Sequence, residues 1–296
     1  MHYSLLSRFQ GGLLGGQIAG SLGETPVADA FPWSRLQQTA IAVLCRTGQL
    51  ACHDWLAEIA QQDATVLHQQ HQGNSAEVAL GLFPLCLFFH DNLAALREML
   101  VKGATIWLHP DESLDLLLLW GESVARSLQI PPNAIPMKTF LYPPKDFLRN
   151  SKKIVSEIHN LQQQEKGLIQ VVRGFSALAT TGETAIALAL YCFSDTPNHF
   201  ALCLRRAAQT QPYANLTTPL TGMIAGTYNG VHSLSLVRRH LPKRSVTLQA
   251  AQQLFQAWSG VYAPTTETAL AQTAIAASGQ IQPRSSLSLL SQRTLR

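Results

Sequence analysis

Metal-assisted and acid–base hydrolysis both start from carboxylates, and this chain holds few. Its 296 residues include eight Asp and ten Glu, with no DD or DxD pair anywhere. A Mg²⁺ or Ca²⁺ site is hard to build locally from that distribution, because a hard cation needs several oxygen ligands close together. His68-Gln-Gln-His71 is a second candidate. On a helix that spacing puts two imidazoles on one face for a metal; the alternative is a polar helix end in a glutamine-rich stretch. Nucleophile elbows of the GxSxG type and phosphate loops of the GxGxxG or GxxxxGK[ST] type are absent. Positive charge gathers at Arg205-Arg206 and at Arg238-Arg239-His240 with Lys243-Arg244. Either cluster suits an anionic partner or a solvated helix end, where cations complement the dipole. The net charge is only +4, so neither nucleic acid nor a membrane surface is required, and nucleic-acid binding through Arg238–Arg244 is the weakest reading.

The elements that must position these groups are helical. In Leu5–Leu22 the apolar residues Leu5, Leu6, Phe9, Leu13, Leu14, Ile18 and Leu22 recur at intervals of three and four. Gly11, Gly12, Gly15, Gly16 and Gly20 are interleaved with them. A helical glycine costs ~1 kcal/mol against alanine, so five need a reason. Gly12, Gly16 and Gly20 share one face, which predicts close approach of another helix; a ligand cleft opening at Gly20–Gly23 is the functional alternative. Helices are also predicted at Ala76–Phe89, Leu93–Val101, Asp111–Leu128 with Asp111 as N-cap, Thr184–Phe193, Phe200–Thr210, Pro219–Asn229 and Leu248–Ser259. No stretch alternates with period two, so the fold class is all-α. The proline-rich stretch 131–144 reads as a long crossover loop within one helical domain spanning 1–278, followed by a polar, basic, flexible tail at 279–296.

Charged residues are only 14% of the chain, against roughly 25% in an ordinary domain. Either a large, well-buried helical core or a surface covered by another protein would explain the deficit. Five cysteines form no CxxC pair, which predicts reduced, mostly buried thiols and a cytoplasmic setting. The first residues do not read as a secretory leader, and the most apolar runs are too short for a bilayer, which takes ~20 residues.

Four segments carry a family resemblance. Arg8-Phe-Gln-Gly-Gly-Leu-Leu-Gly-Gly-Gln-Ile-Ala-Gly-Ser-Leu-Gly23 resembles the opening of the ADP-ribosylglycohydrolase (dinitrogenase-reductase-activating glycohydrolase-like) family, approximately RFxGALLGxAxGDALG. Gly73-Asn-Ser-Ala76 through Pro84-Leu85 is similar to its GNGAAMRxAPLG segment. Glu183 through Phe193, and Leu220 through Gly230, resemble two of its later helices. The order and spacing agree from about residue 8 to about residue 240. The resemblance implies an all-α, single-domain bundle with a central cleft, and in active members two Mg²⁺ ions held there.

The departures fall on the metal ligands. The family's T-D-D-T segment aligns with Ser34-Arg35-Leu36-Gln37, its D-T-D-T segment with Tyr213-Ala214-Asn215-Leu216, and the aspartate of GDALG with Gly20. Every metal-binding aspartate that can be placed is replaced. The resemblance therefore implies a degenerate member, a pseudoenzyme with no metal site and no Mg²⁺ cofactor. It would act as a binding, scaffold or regulatory protein, with another protein as partner or with ADP-ribose or a nucleotide-like ligand. Ser34, Arg35, Asn74, Asn215, Thr217 and Thr218 are the expected cleft residues. The alternative is a hydrolase of ADP-ribosyl or related N-glycosidic substrates with an altered, metal-independent site. Glu77 or Glu183 would then supply acid–base catalysis, although Glu183 also suits a helix N-terminus as a plain dipole partner.

Overall fold

The computed structural model describes residues 4–21, 31–129, 149–164, 166–177, 179–234 and 244–260. The proline-rich stretch, the basic run up to Lys243, the Gly20–Gly23 opening beyond Ser21 and the tail lie outside these residues. Twelve α-helices are described: α1 (Leu5–Gly20), α2 (Trp33–Thr47), α3 (Cys52–Asp63), α4 (Ser75–Phe88), α5 (Leu93–Trp107), α6 (Asp115–Gln129), α7 (Arg149–Gln163), α8 (Leu168–Ser176), α9 (Thr181–Asp195), α10 (Phe200–Ala208), α11 (Ala214–Asn229) and α12 (Arg244–Ser259). Short 3₁₀ turns lie at Ala64–Gln69 and Val231–Leu234. Among the described residues the only β-type pairing is an isolated bridge between Gly73 and Leu108.

The centre consists of α4, α6, α9 and α11, each packed against the other three. Their sequences explain why. Every residue of α4 but Glu77 is buried, every residue of α9 but Thr181 and Asp195, and every residue of α11 but Asn215 and Leu216. A helix that is apolar all round has no face to give to water and must be surrounded. The two earlier central helices and the two later ones come from opposite sides of the proline-rich stretch and share this core. The remaining helices sheathe it: α1 lies along α11, α2 and α5 on α4, α10 on α11, and α12 on α1 and α2.

The glycines of α1 act at the crossing with α11. A methyl group on Gly11 would collide with the Gly226 carbonyl, and one on Gly15 with the Gly222 carbonyl; the reverse collisions hold for Gly226 and Gly222. Gly12 and Gly16 flank that seam, against Thr227 with Phe83 and against Met223. The close approach is therefore centred on Gly11 and Gly15, whereas the sequence pattern pointed to Gly12, Gly16 and Gly20. Gly20 meets nothing nearer than the Trp33 ring at 3.9 Å. Arg8, which opens the glycine-rich segment, is buried and donates from Nη1 to the carbonyls of Ser127 at 2.7 Å and Leu128 at 3.1 Å. It satisfies orphan acceptors at the C-terminal end of α6.

Candidate functional site

Four of the described acidic side chains, Glu77, Glu112, Asp115 and Glu183, meet at the junction where α4, α6 and α9 begin. Asn74 caps α4: its Oδ1 accepts from the Ala76 and Glu77 N–H groups at 3.0 Å each, and Glu77 Oε2 accepts from the Asn74 N–H at 3.0 Å. Thr180 caps α9 in the same reciprocal way, with Glu183 Oε2 accepting from the Thr180 N–H at 3.2 Å. Both are capping boxes. Glu112 ties the two helix heads together, its Oε2 accepting from the Ser75 N–H at 3.0 Å and from the Thr180 hydroxyl at 3.2 Å. Gly182 permits this proximity; a Cβ there would stand 2.8 Å from the Ser75 nitrogen and 2.9 Å from Asn74 Oδ1. Asp115, the first residue of α6, is 5% exposed.

This junction is strongly acidic. Burial raises the Glu77 carboxyl above its ordinary range; the Asn74 N–H opposes the shift and the charge of Glu112 adds to it. Burial likewise raises Glu183, against the Thr180 N–H, with the Glu112 and Asp115 charges pushing the same way. Asp115 is raised by burial. The Ser113 hydroxyl sits close enough to Glu183 to favour its charged form slightly, but completes no bond, and Glu183 Oε1 is buried without a hydrogen-bond partner. Ser75 Oγ, fully buried, also has none. No Lys or Arg among the described residues forms an ion pair with Glu77, Glu112, Asp115 or Glu183.

Beside the junction lies a depression of about 410 Å³, lined in part by His71, Thr105, His109, Glu112, Ser113 and Asp115. Its wall is pinned by a short ladder: the His71 N–H donates to Ile106 O at 3.1 Å, Gly73 N–H to Trp107 O at 3.0 Å, and His109 N–H to Gly73 O at 2.8 Å.

Not every expected cleft residue comes here. Asn74 does, with its amide oxygen engaged in the cap. Ser34 and Arg35 are exposed at the head of α2. Arg35 reaches Gln38 at 3.5 Å. Its charge also helps hold the Asp63 carboxyl below the usual range, a shift due first to the Thr65 hydroxyl. Asn215 is exposed at the head of α11, whereas Thr217 and Thr218 are buried, with Thr217 Oγ1 unpartnered. No hydrogen bond or ion pair joins Ser34 or Arg35 to Asn215, Thr217 or Thr218.

Two local expectations change. His68 and His71 do not share a helix face: the 3₁₀ turn ends at Gln69 and His71 takes a left-handed φ of 57°. Helix α6 begins at Asp115 and not at Asp111, because the Ser113 hydroxyl takes the Asp115 N–H at 3.2 Å and His109 Nδ1 takes that of Asp111 at 3.3 Å. Those contacts hold residues 109–114 as a turn and point Glu112 at the junction. Among the described residues no group of three or more His, Cys, Asp or Glu side chains is arranged to hold a metal ion. All five cysteines are free. Burial pushes the Cys192 thiol up to about 12 and those of Cys45 and Cys203 to about 11, so none of the three is a ready nucleophile.

The fold so defined is an all-α bundle of the ADP-ribosylglycohydrolase-like kind. It is similar to a solved ADP-ribosylglycohydrolase-related protein complex, with a TM-score of 0.61 and 15% sequence identity, over 86% of this chain and 99% of that chain. No protein-family model matches the sequence. No curated protein matches it either. No helix among the described residues is long and apolar enough to cross a membrane.

Proposed function

We propose that this chain is a non-catalytic binding protein on an ADP-ribosylglycohydrolase-like fold, with a scaffold or regulatory role in a reducing, cytoplasmic setting. One observation carries the reading: the donor set at the heads of α2 and α11, where the family resemblance would put two Mg²⁺ ions. Ser34-Arg35-Leu36-Gln37 and Tyr213-Ala214-Asn215-Leu216 contain no carboxylate. Leu36 is fully buried, and the Gln37 amide donates to the Leu80 carbonyl at 2.6 Å. Two dications in that setting would repel each other and Arg35 with no anionic ligand to offset them. The residues present do not fit the metal pair, and no hydrolytic step is assigned to it.

A second reading has its own support. Glu77 and Glu183 are carboxyls that burial keeps protonated to higher pH than usual, a property of general acids. Against it, each already spends one oxygen on the cap of its own helix. Incubation with ADP-ribosyl-arginine and with ADP-ribosylated protein, with and without Mg²⁺, separates the two. The expected outcome is no turnover in either condition. Turnover without Mg²⁺ that is lost in Glu77→Gln or Glu183→Gln would establish the second reading instead.

A further inference from the structure

Helix α12 lies over α1 and α2 at the surface of the bundle. Of its 16 residues only Ala251 and Leu254 are buried. Helices α8 and α10, with 9 residues each, bury Val171, Val172 and Phe175, and Phe200, Cys203, Leu204 and Ala207. A helix of about 15 residues is marginal in water by itself and draws most of its stability from packing. Ser245, Val246 and Thr247 at the head of α12 are weak helix formers as well. Contacts at its two ends fix its direction. The Thr247 hydroxyl donates to Gln17 Oε1 at 2.9 Å. At the far end Phe255 and Trp258 close on Phe9, with ring centroids 5.6 and 6.3 Å apart, and the Trp258 ring lies 4.9 Å from that of His90. Helix α12 therefore runs antiparallel to α1. Its two aromatic side chains are half-buried, whereas Phe9 beneath them is fully buried. Past Arg244 it carries no charged residue, so no ion pair from that stretch fastens it.

We propose that α12 is a detachable strap, which opens as a unit while the central helices stay folded and in opening uncovers the Phe9 side of α1. Elements with few buried apolar contacts open below the cost of global unfolding, and α12 is such an element. The latch is the ring cluster of Phe9, His90, Phe255 and Trp258, because aromatic pairs add attraction beyond the area they bury. Releasing it leaves α4, α6, α9 and α11 packed on one another and α1 seated on α11, so the core has no reason to follow. The strap goes beyond the binding-protein reading and does not depend on it.

The test is native-state hydrogen exchange of the full chain, read by mass spectrometry on peptides from α1, α11 and α12 at several urea concentrations below the unfolding transition. The slope of exchange against urea reports the surface each opening exposes. The expected result is exchange in α12 at least tenfold faster than in α1 and α11, with a slope above zero and below theirs. Trp258→Ala should speed exchange in α12 a further tenfold and leave α11 unchanged. Should that variant fail to fold, the wild-type comparison still decides. Exchange of all three helices in one step with one slope would overturn the strap. So would a zero slope in α12, which marks fraying without release from α1, or a Trp258→Ala effect that is equal in every helix.

Discussion

A carboxyl that is buried with one oxygen unpaired holds its proton to a higher pH than it does in the unfolded chain, and Glu183 is so placed. Glu77 and Asp115 are raised in the same direction. The native state therefore binds more protons than the unfolded state once pH passes the ordinary values, 3.8 for Asp and 4.5 for Glu. The share of stability governed by these three groups is fully present below that window and is lost as pH climbs through their folded pKa values. Glu183→Gln keeps an acceptor for the Thr180 N–H and removes one of these charges. Its stability at neutral pH should rise, and should fall less steeply above pH 4.5. An unchanged pH slope in denaturant unfolding would contradict this. At this scale the sequence was partly legible. The spacings Asn74-x-x-Glu77 and Thr180-x-x-Glu183 are the signature of capping boxes, so those four residues could have been read as helix starts. Glu112 had no such signal: its partners lie 37 and 68 residues away, and only the folded chain brings them to it.

Helices in this molecule are positioned by close approach as much as by burial. At the α1–α11 crossing, backbone meets backbone, and a methyl group has nowhere to go. Gly15→Ala gains ~1 kcal/mol of helix propensity but overpacks a seam that cannot open without moving both helices, a cost of typically ~1–3 kcal/mol or more. A net loss of stability is expected. Gly20→Ala, which meets only the Trp33 ring in ordinary contact, should be neutral or better; equal effects of the two on urea midpoints would refute the assignment of the seam. The helical period identified the glycine-rich segment as a packing surface, but not which glycines face the partner, because that depends on the rotation of α1 set by its other neighbours. Glu122 makes a similar point on α6. It is fully buried and pairs with both Arg97 and Arg126. Glu122→Ala removes the buried carboxylate that Arg97 and Arg126 share and should cost ~3 kcal/mol or more, measurable as a lowered unfolding midpoint.

Over the whole molecule, the low charge content finds a physical cause in the central helices. With α4, α9 and α11 buried nearly all round, these helices have almost no surface on which to carry charge. Only four large apolar side chains among the described residues are exposed, Val101, Ile169, Leu202 and Val246, and they are spread over α5, α8, α10 and α12. Of the two explanations the composition allowed, the large buried core is present and accounts for part of the deficit. The all-α class was legible because helical spacing and all-round apolar helices are local signals. The acidic junction was not, since carboxylates scattered along the chain become neighbours only when α4, α6 and α9 dock. The central claim, a hydrolase-like fold that has no Mg²⁺ pair to work with, is tested most directly by calorimetric titration of the full-length protein with MgCl₂. The expected result is no saturable heat below millimolar Mg²⁺. Stoichiometric binding at micromolar concentration would contradict it.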